Sequence, residues 1–308
     1  MARPSHSTGT SDRTAAPSRS GRTDRSPMTS ILVTRSELRA ALAGARRPVG
    51  LVPTMGWLHD GHRSLMRRSR AESATTVVTI FVNPRQFDDP SDYTRYPRDV
   101  EADLAICRAE AVDLVWMPGV GDVYPPGFDT VVRVGAVAEP LEGAARPGHF
   151  EGVATVVAIL FALVGAERAY FGRKDAQQVM VIERMAADLA LPTEVVPCPT
   201  VREPDGLALS SRNVHLHPDE RRAAPVLYRA LTAARRVFEA GERDGDALRS
   251  LVGEILAAEP LAQVEYVSCA DAATLAEVQR VEGPALLSLA VRFGTTRLID
   301  NVMLGTED

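Results

Sequence analysis

Gly50-Leu51-Val52-Pro53-Thr54-Met55-Gly56-Trp57-Leu58-His59-Asp60-Gly61-His62 is an apolar run that ends in two histidines among glycines. Residues 48–53 have the apolar continuity of a short buried strand. Gly56 and Gly61 permit tight turns, and His62-Arg63-Ser64-Leu65-Met66 opens a helix. The first-turn amides of such a helix have no intrahelical partner, and with the positive end of its dipole they suit phosphate. His59 and His62 lie three residues apart, so both imidazoles can be aimed at one anion there. The spacing is not that of a metal site, because no Glu lies between them and no third His or Cys ligand is near. Taken alone, two histidines at this spacing are most often turn and capping residues, so the decision rests on the rest of the chain.

Outward from that stretch, strands alternate with helices over residues 30 to 200. Residues 31–33 read as a short strand and 35–45 as a helix with Ser36 as its N-cap. The β-branched run 74–82 has the character of a parallel strand covered on both faces, ending at Asn83-Pro84-Arg85-Gln86-Phe87. Ligands in open α/β sheets collect beyond the carboxyl ends of strands, which points Asn83 and Gln86 at the pocket of the histidines. A helix over 99–111 and a strand over 114–117 follow. Gly119-Val120-Gly121 lacks the third glycine of a dinucleotide fingerprint and reads as a turn. Residues 139–149, with two glycines and two prolines, form a loop, either a lid or an ordinary surface connection. A buried helix over 151–164 and a strand over 168–171 lead to Gly172-Arg173-Lys174-Asp175-Ala176-Gln177-Gln178, a second helix opening after a strand end. With a last strand over 194–196, this alternation defines an α/β doubly wound parallel sheet.

From Val201 the character changes. Residues 201–213 are polar and turn-rich, helices follow over 219–240 and 244–258 with Pro225 breaking the first, and strands over 264–269, 285–293 and the closing residues 297–302 complete a smaller C-terminal α+β domain. The expected organisation is a tail over 1–27, a first domain over 28–200 and a second over 201–308. The tail contains no Leu, Ile, Val or Phe, so it has nothing apolar to bury and reads as disordered, with Met28 as an alternative start.

A chain of 308 residues with 45% apolar content can bury proper cores. A net charge of −5 and a pI near 5.8 give no general electrostatic reason to bind nucleic acid. The longest apolar run, 153–165, is short of the roughly 20 residues that span a bilayer, so no membrane is indicated. The three cysteines, Cys107, Cys198 and Cys269, are widely spaced and fit neither a disulfide framework nor a zinc ribbon, so a reducing cytoplasm is the expected compartment.

No Gly-x-x-x-x-Gly-Lys-Ser/Thr loop is present, so kinase or ATPase chemistry of the P-loop type is not indicated. The other way to use a triphosphate is attack at the α-phosphorus with loss of pyrophosphate. Its transition state is met by fixed donors, and His59, His62, Lys174, Ser210, Ser211 and Arg212 are such a set.

Pro53-Thr-Met-Gly-x-Leu-His-x-Gly-His62, Phe81-Val-Asn-Pro-x-Gln-Phe87, Tyr96-Pro-Arg98, Arg146-Pro-Gly-His-Phe-x-Gly152, Phe171-Gly-x-Lys-Asp-x-Gln-Gln178 and Asp205-Gly-Leu-Ala-x-Ser-Ser-Arg-Asn213 are similar, in order and spacing, to the motifs of the pantothenate synthetase family. That family is a variant of the His-x-Gly-His nucleotidylyl transferases. The resemblance spans about residue 30 to the end. It implies a Rossmann-like first domain, a C-terminal lid domain and a homodimer. The implied reaction joins pantoate to β-alanine at the cost of ATP through a pantoyl-adenylate. By position it implies ATP contacts from Met55, Gly56, Trp57, Leu58, His59, Asp60, Gly61 and His62, with His62 as catalytic proton donor. Gly172, Arg173, Lys174, Asp175, Val201, Leu209, Ser210, Ser211 and Arg212 complete the nucleotide site. Gln86 and Gln178 hold pantoate, and Gln86 also borders the β-alanine site. Amides offer donors and an acceptor without a charge that would repel the triphosphate. Mg²⁺ accompanies ATP, held mainly by phosphates and water, with Asp103 the one protein candidate to assist.

Three positions depart from the family pattern: Arg173 for an acidic or neutral residue, Ala176 for an aromatic, and Leu209 for Met. The Leu conserves volume, whereas Arg173 is expected to add charge beside the phosphates and Ala176 to remove a packing ring. Two rivals stand beside this reading. One is a superfamily enzyme acting on another acid or phosphate, which the two glutamines oppose. The other is a non-catalytic binding protein, which the complete polar set opposes.

Overall fold

A computed structural model describes Met1, residues 28–88 and residues 90–306; the tail expected over 1–27, Met1 apart, lies outside them. Among the described residues nine strands form two sheets. In chain order the elements are β1 Ser30–Leu32, α1 Arg35–Ala43, β2 Val49–Thr54, α2 Asp60–Glu72, β3 Thr75–Ile80, α3 Pro90–Arg95, α4 Val100–Ala109, β4 Leu114–Trp116, α5 Val120–Val123, α6 Glu142–Ala145, α7 His149–Val164, β5 Arg168–Gly172, α8 Ala176–Asp188 and β6 Glu194–Cys198. They continue with α9 Pro218–Ala223, α10 Val226–Glu239, α11 Gly245–Ala257, β7 Gln263–Asp271, β8 Ala285–Phe293 and β9 Thr296–Leu304.

The first sheet runs β1-β4-β3-β2-β5-β6 with every pair parallel. The chain builds outward from β2 through β3 and β4, then returns to build β5 and β6 on the other side. The strand order therefore reverses at β2 and β5, and a crevice opens beyond their carboxyl ends. The β-branched β3 is buried along nearly its whole length, as a central parallel strand must be. α7 is apolar around most of its circumference and packs with α8 on one face of the sheet, where Val153, Val157, Phe161 and Ile182 join the largest core. On the other face Leu65, Met66, Leu104 and Cys107 pack over Val52, Val78 and Val115.

The second sheet, β7-β8-β9, is antiparallel and packs its own core against α10 and α11 through Leu227, Leu231, Leu248 and Val252. Ala270, Leu275 and Leu286 belong to the large core instead, so apolar packing is continuous between the two sheets.

Local chemistry moved several boundaries. Thr34, not Ser36, caps α1, in a reciprocal capping box with Glu37. Residues 119–121 are not a simple turn, since Gly119 caps the short α5. The 139–149 stretch carries α6 and the first residue of α7. Pro225 does separate α9 from α10. Cys107, Cys198 and Cys269 are all free and buried. No helix among the described residues is long and apolar enough to cross a membrane.

Candidate active site

A cavity of about 270 Å³ lies in the crevice beyond β2 and β5. Three strand ends feed it. After β2, the Thr54 hydroxyl donates to the Thr79 carbonyl (2.7 Å) and accepts from the Gly56 amide (3.2 Å), tying off the strand end. The next residue, Trp57, sits at a φ of 53°, where a bulky side chain is strained. Asp103 holds it there: its carboxylate accepts from the Trp57 amide (3.0 Å) and the Leu58 amide (2.7 Å). Asp103, the sequence candidate to assist a metal, is buried beneath the loop and outside the cavity lining, both oxygens engaged with backbone.

His59 is the N-cap of α2, which begins two residues earlier than the sequence pattern placed it. The His59 Nδ1 accepts from the Gly61 amide (3.1 Å), and the His62 Nδ1 accepts from the His59 amide (3.2 Å). A backbone amide can only donate, so each Nδ1 presents its lone pair and each neutral ring carries its proton on Nε2. The rings lie 4.2 Å apart at 46°. A Cβ on Gly61 would come within 2.8 Å of the His59 ring, so only glycine lets that ring fold back. Desolvation, aided by neighbouring His59, pushes the His62 pKa down to about 3, and desolvation and Lys174 push His59 down. His62 is therefore a neutral Nε2–H hydrogen-bond donor and not an imidazolium with a proton to give away. Capping thus uses the Nδ1 edge of each ring and leaves the Nε2–H edge as a donor.

After β3, Asn83 is buried with its side chain fully used: Nδ2 donates to the Gln86 Oε1 (3.0 Å) and the Gly152 carbonyl (3.1 Å), while Oδ1 accepts from the Arg85 amide (3.2 Å) and the Tyr124 hydroxyl (2.8 Å). Asn83 thereby orients Gln86, whose Nε2 lies against the Met55 sulfur (3.2 Å). A Cβ on Gly152 would strike the Arg85 carbonyl oxygen at 2.2 Å, so α7 approaches this turn closely only because residue 152 is glycine. Arg146 and His149 close the same corner: His149 Nδ1 is 2.8 Å from the Gln86 carbonyl, and the Arg146 guanidinium donates to that carbonyl (3.2 Å). Desolvation, then Arg146, holds His149 down to about 4, so it too is neutral.

After β5, a single 3₁₀ turn, Arg173–Asp175, precedes α8. Lys174 and Asp175 line the cavity with Nζ and Oδ1 3.5 Å apart. Burial opposes ionisation of Asp175, but Lys174 and Arg212 outweigh it and hold its pKa below the usual value. Gln178 follows on α8. Ser210, Ser211 and Arg212 arrive from the C-terminal half, with the Ser210 hydroxyl capping the Arg212 amide (3.2 Å) and Ser211 bonded to the buried Tyr96 hydroxyl. Val201 and Leu209 complete that wall.

Of the residues expected at the nucleotide, Met55, His59, Gly61, His62, Gly172, Lys174, Asp175, Val201, Leu209, Ser210, Ser211 and Arg212 do line the cavity, and Gln86 and Gln178 line it with them. Gly56, Trp57, Leu58 and Asp60 do not: Leu58 is buried in the lower core and Asp60 pairs outward with Arg63 (3.3 Å). Arg173 also stays outside the lining, so it adds no charge at the cavity wall. Ala176 borders a side cavity of about 60 Å³ together with Tyr266, Leu286 and Ser288, a space an aromatic ring would enter. Asn83 lines the main cavity, as expected from its place at a strand end, and Tyr96, Arg146 and His149 line it without having been given roles; their signal was their place inside the quoted motifs.

The 139–149 segment is neither open surface nor detached. Glu142 is buried, takes a two-pronged contact from Arg297 on β9 (2.6 and 2.7 Å) and accepts from the Tyr266 hydroxyl of β7 (2.9 Å). Gln177 holds the same segment by donating to Val137 and Pro140 carbonyls (3.0 and 2.7 Å) and accepting from the Glu142 amide (3.0 Å).

A doubly wound sheet with Nε2–H, ammonium, hydroxyl and guanidinium donors gathered at its switch point belongs to the class of α/β proteins that handle nucleotide phosphates. Comparison with known proteins narrows this. The family model described as Pantoate-beta-alanine ligase matches residues 30–303, and the chain belongs to that family. It is 61% identical over 274 residues to the pantothenate synthetase of Roseiflexus sp. (strain RS-1), covering 89% of this chain and 99% of the relative. A crystal structure of pantothenate synthetase from Thermus thermophilus superposes with a TM-score of 0.85 at 50% identity, covering 88% of this chain and 98% of that one. The pantoate-beta-alanine ligase of Francisella tularensis, solved with beta-gamma ATP and beta-alanine, gives 0.73 at 32% identity, covering 90% and 98%.

Proposed function

We propose that this chain condenses pantoate with β-alanine at the expense of ATP, using one end of the cavity for the nucleotide phosphates and the other for the acid. One observation carries the reading. The Nε2–H edges of His59 and His62, Lys174 and the Ser210–Arg212 segment share a cavity with two neutral amides, Gln86 and Gln178, and with the apolar side chains of Val153, Val156, Val157 and Leu160. The donors suit α-phosphate oxygens and pyrophosphate, the amides suit hydroxyls and a carboxylate, and the α7 side chains suit a branched carbon skeleton.

In the first step a pantoate carboxylate oxygen attacks the α-phosphorus and the bond to pyrophosphate breaks. Charge gathers on the α-phosphate oxygens and the leaving group, where the two Nε2–H groups and the Lys174 ammonium are in place before reaction. In the second step the β-alanine amine attacks the acyl carbon of the adenylate, AMP leaves, and the amine proton passes to solvent. Two displacements with good leaving groups replace one with a poor one. The β-alanine amine enters beside Gln86. Arg146, held over the same corner, gives its carboxylate a cation.

Mg²⁺ belongs with the triphosphate. Among the described residues no group of three or more His, Cys, Asp or Glu is arranged to hold a metal, and Asp175 is the carboxylate that lines the cavity. That donor set would fit an ion carried mainly by phosphate oxygens and water, with Asp175 the protein carboxylate available to assist. When bound, the ion would supply charge neutralisation to the triphosphate. The C-terminal unit from residue 201, bringing Ser210–Arg212, acts as the lid, and the enzyme is read as a cytoplasmic homodimer, which sedimentation of the purified protein tests.

The deciding experiment is exchange of labelled pyrophosphate into ATP. It requires pantoate and Mg²⁺ but no β-alanine, and it falls by roughly two to three powers of ten in Lys174→Ala, leaving a measurable remainder. Exchange seen only with β-alanine present would overturn the order of steps and the roles given to these donors.

A further inference from the structure

The proposed phosphate donors come from two separate segments, one following β5 of the first sheet and one in the loop between β6 and α9. Lys174 follows β5, and Ser210–Arg212 precede α9. Something must set the distance between them. The last strand, β9, carries adjacent buried polar residues, Asp300 and Asn301, in an otherwise largely apolar run. Buried polar groups on a strand need partners, and here each partner belongs to one of the two segments.

The Asn301 Nδ2 donates to two successive carbonyls, those of Arg173 (3.0 Å) and Lys174 (2.9 Å), which form the 3₁₀ turn that carries Lys174 into the cavity. The Asp300 carboxylate takes both prongs of the Arg202 guanidinium (2.6 and 2.9 Å), and that guanidinium lies 3.9 Å from the centre of the Tyr228 ring. Arg202 is bridged to Ala208, and the Leu209 amide donates to the Val201 carbonyl (3.0 Å), so the strap that ends in Ser210–Arg212 is pinned through Arg202. The Asn301 amide also donates to the Asp300 carboxylate (2.8 Å), linking the two anchors directly.

We propose that the Asp300-Asn301 dipeptide is the joint that registers the two halves of the phosphate site, with Asn301 a positioning residue for Lys174. This rests on the reading of Lys174 as a phosphate donor. Asn301 touches no substrate; it acts through backbone carbonyls that only a two-donor side chain can hold together. Gln178 on α8 is fixed separately, because its neighbour Gln177 anchors that helix to residues 137–142. Loss of the joint therefore moves Lys174 while leaving the acid end alone.

The test is a double-mutant cycle read by pantoate-dependent pyrophosphate exchange, with pantoate affinity measured directly. Asn301→Asp keeps the shape and removes the donors; Asn301→Ser, which keeps one donor, serves if the Asp variant does not fold. A misplacement of this kind costs on the order of tenfold to a hundredfold in rate. The expected result is that loss in exchange, pantoate affinity within about twofold, and no further loss when the substitution is added to Lys174→Ala, as befits residues acting as a unit. Exchange near the wild-type rate in a folded Asn301 variant, or losses that simply multiply in the double variant, would overturn the joint while leaving the function standing. Normal exchange in Lys174→Ala would remove the phosphate reading itself and the joint with it.

Discussion

At the β2–α2 junction, the side-chain bonds that orient His59 and His62 come from within three residues, whereas at the β5–α8 junction Lys174 is held by Asn301, 127 residues away. The first junction is a closed local device in which two rings accept from backbone amides and a glycine lets one ring fold back. The second is an open turn whose carbonyls reach a different sheet. A site assembled from one of each has a rigid half that folds with its own segment and a half whose geometry depends on how the two sheets meet.

The largest expected effect sharpens the local side of that contrast. His62→Ala lowers turnover by roughly two to three powers of ten, the scale for one lost transition-state donor, while the melting temperature changes little. A large fall in melting temperature with near-normal turnover of the folded fraction would make His62 a structural residue and erase the distinction.

The remote side is probed through Glu142, the residue that ties the segment before α7 to Arg297 and Tyr266. Glu142→Ala leaves part of the Arg297 charge unpaired in a buried setting, and the expected destabilisation is about 3 kcal/mol. Denaturant unfolding measures it. Arg297 retains Glu265 (2.6 Å), so Glu265→Ala in the same background should couple strongly, and simple additivity would count against a shared network.

The two glutamines divide along the same line. Gln86 is oriented locally by Asn83, and Gln178 rides on α8. Either alanine variant should weaken pantoate by about tenfold to a hundredfold, the range for losing a hydrogen bond to a charged partner, with ATP affinity nearly unchanged. Titration calorimetry with each ligand separates the two, and equal losses for both ligands would mean the cavity ends are assigned wrongly.

The smallest effect is on pH. His62 and His149 have folded pKa values of about 3 and about 4, below the value near 6.5 they take when unfolded. Their contribution to stability is fully present above about pH 6.5 and is lost as pH falls toward the folded values, because the unfolded chain then binds the protons. Each adds a slope of up to about 1.4 kcal/mol per pH unit in that window, and His149→Gln should flatten the profile by one such share in melting curves recorded against pH.

What the sequence made legible follows the same division. The parallel sheet was readable because β3 and α7 advertise burial by composition, and the histidine junction because all its parts lie in one short string. Pro225 marked a helix break that does occur. Asp103 was expected to assist a metal, but its bonds to two amides of a strained loop were not foreseeable, because they depend on a backbone conformation that no residue type announces. Arg173 was expected at the phosphates from its position in the family motif, but successive residues of a 3₁₀ turn point in different directions, and Lys174 lines the cavity while Arg173 does not. Glu142 with Arg297, and Asn301 with Lys174, were invisible for want of any local signal, since each pair meets only after both sheets have formed.

The Nδ1 bonds of His59 and His62 bear on more than phosphate. Imidazoles bind zinc or nickel through a nitrogen lone pair, and these two rings lie 4.2 Å apart. Here both lone pairs are occupied by backbone amides and the edge that meets the cavity is all N–H. A soft cation gains a foothold only by breaking those bonds and leaving an amide unsatisfied, at about 1–3 kcal/mol each. The geometry that turns N–H groups outward therefore also leaves neither ring a free lone pair for a stray transition metal.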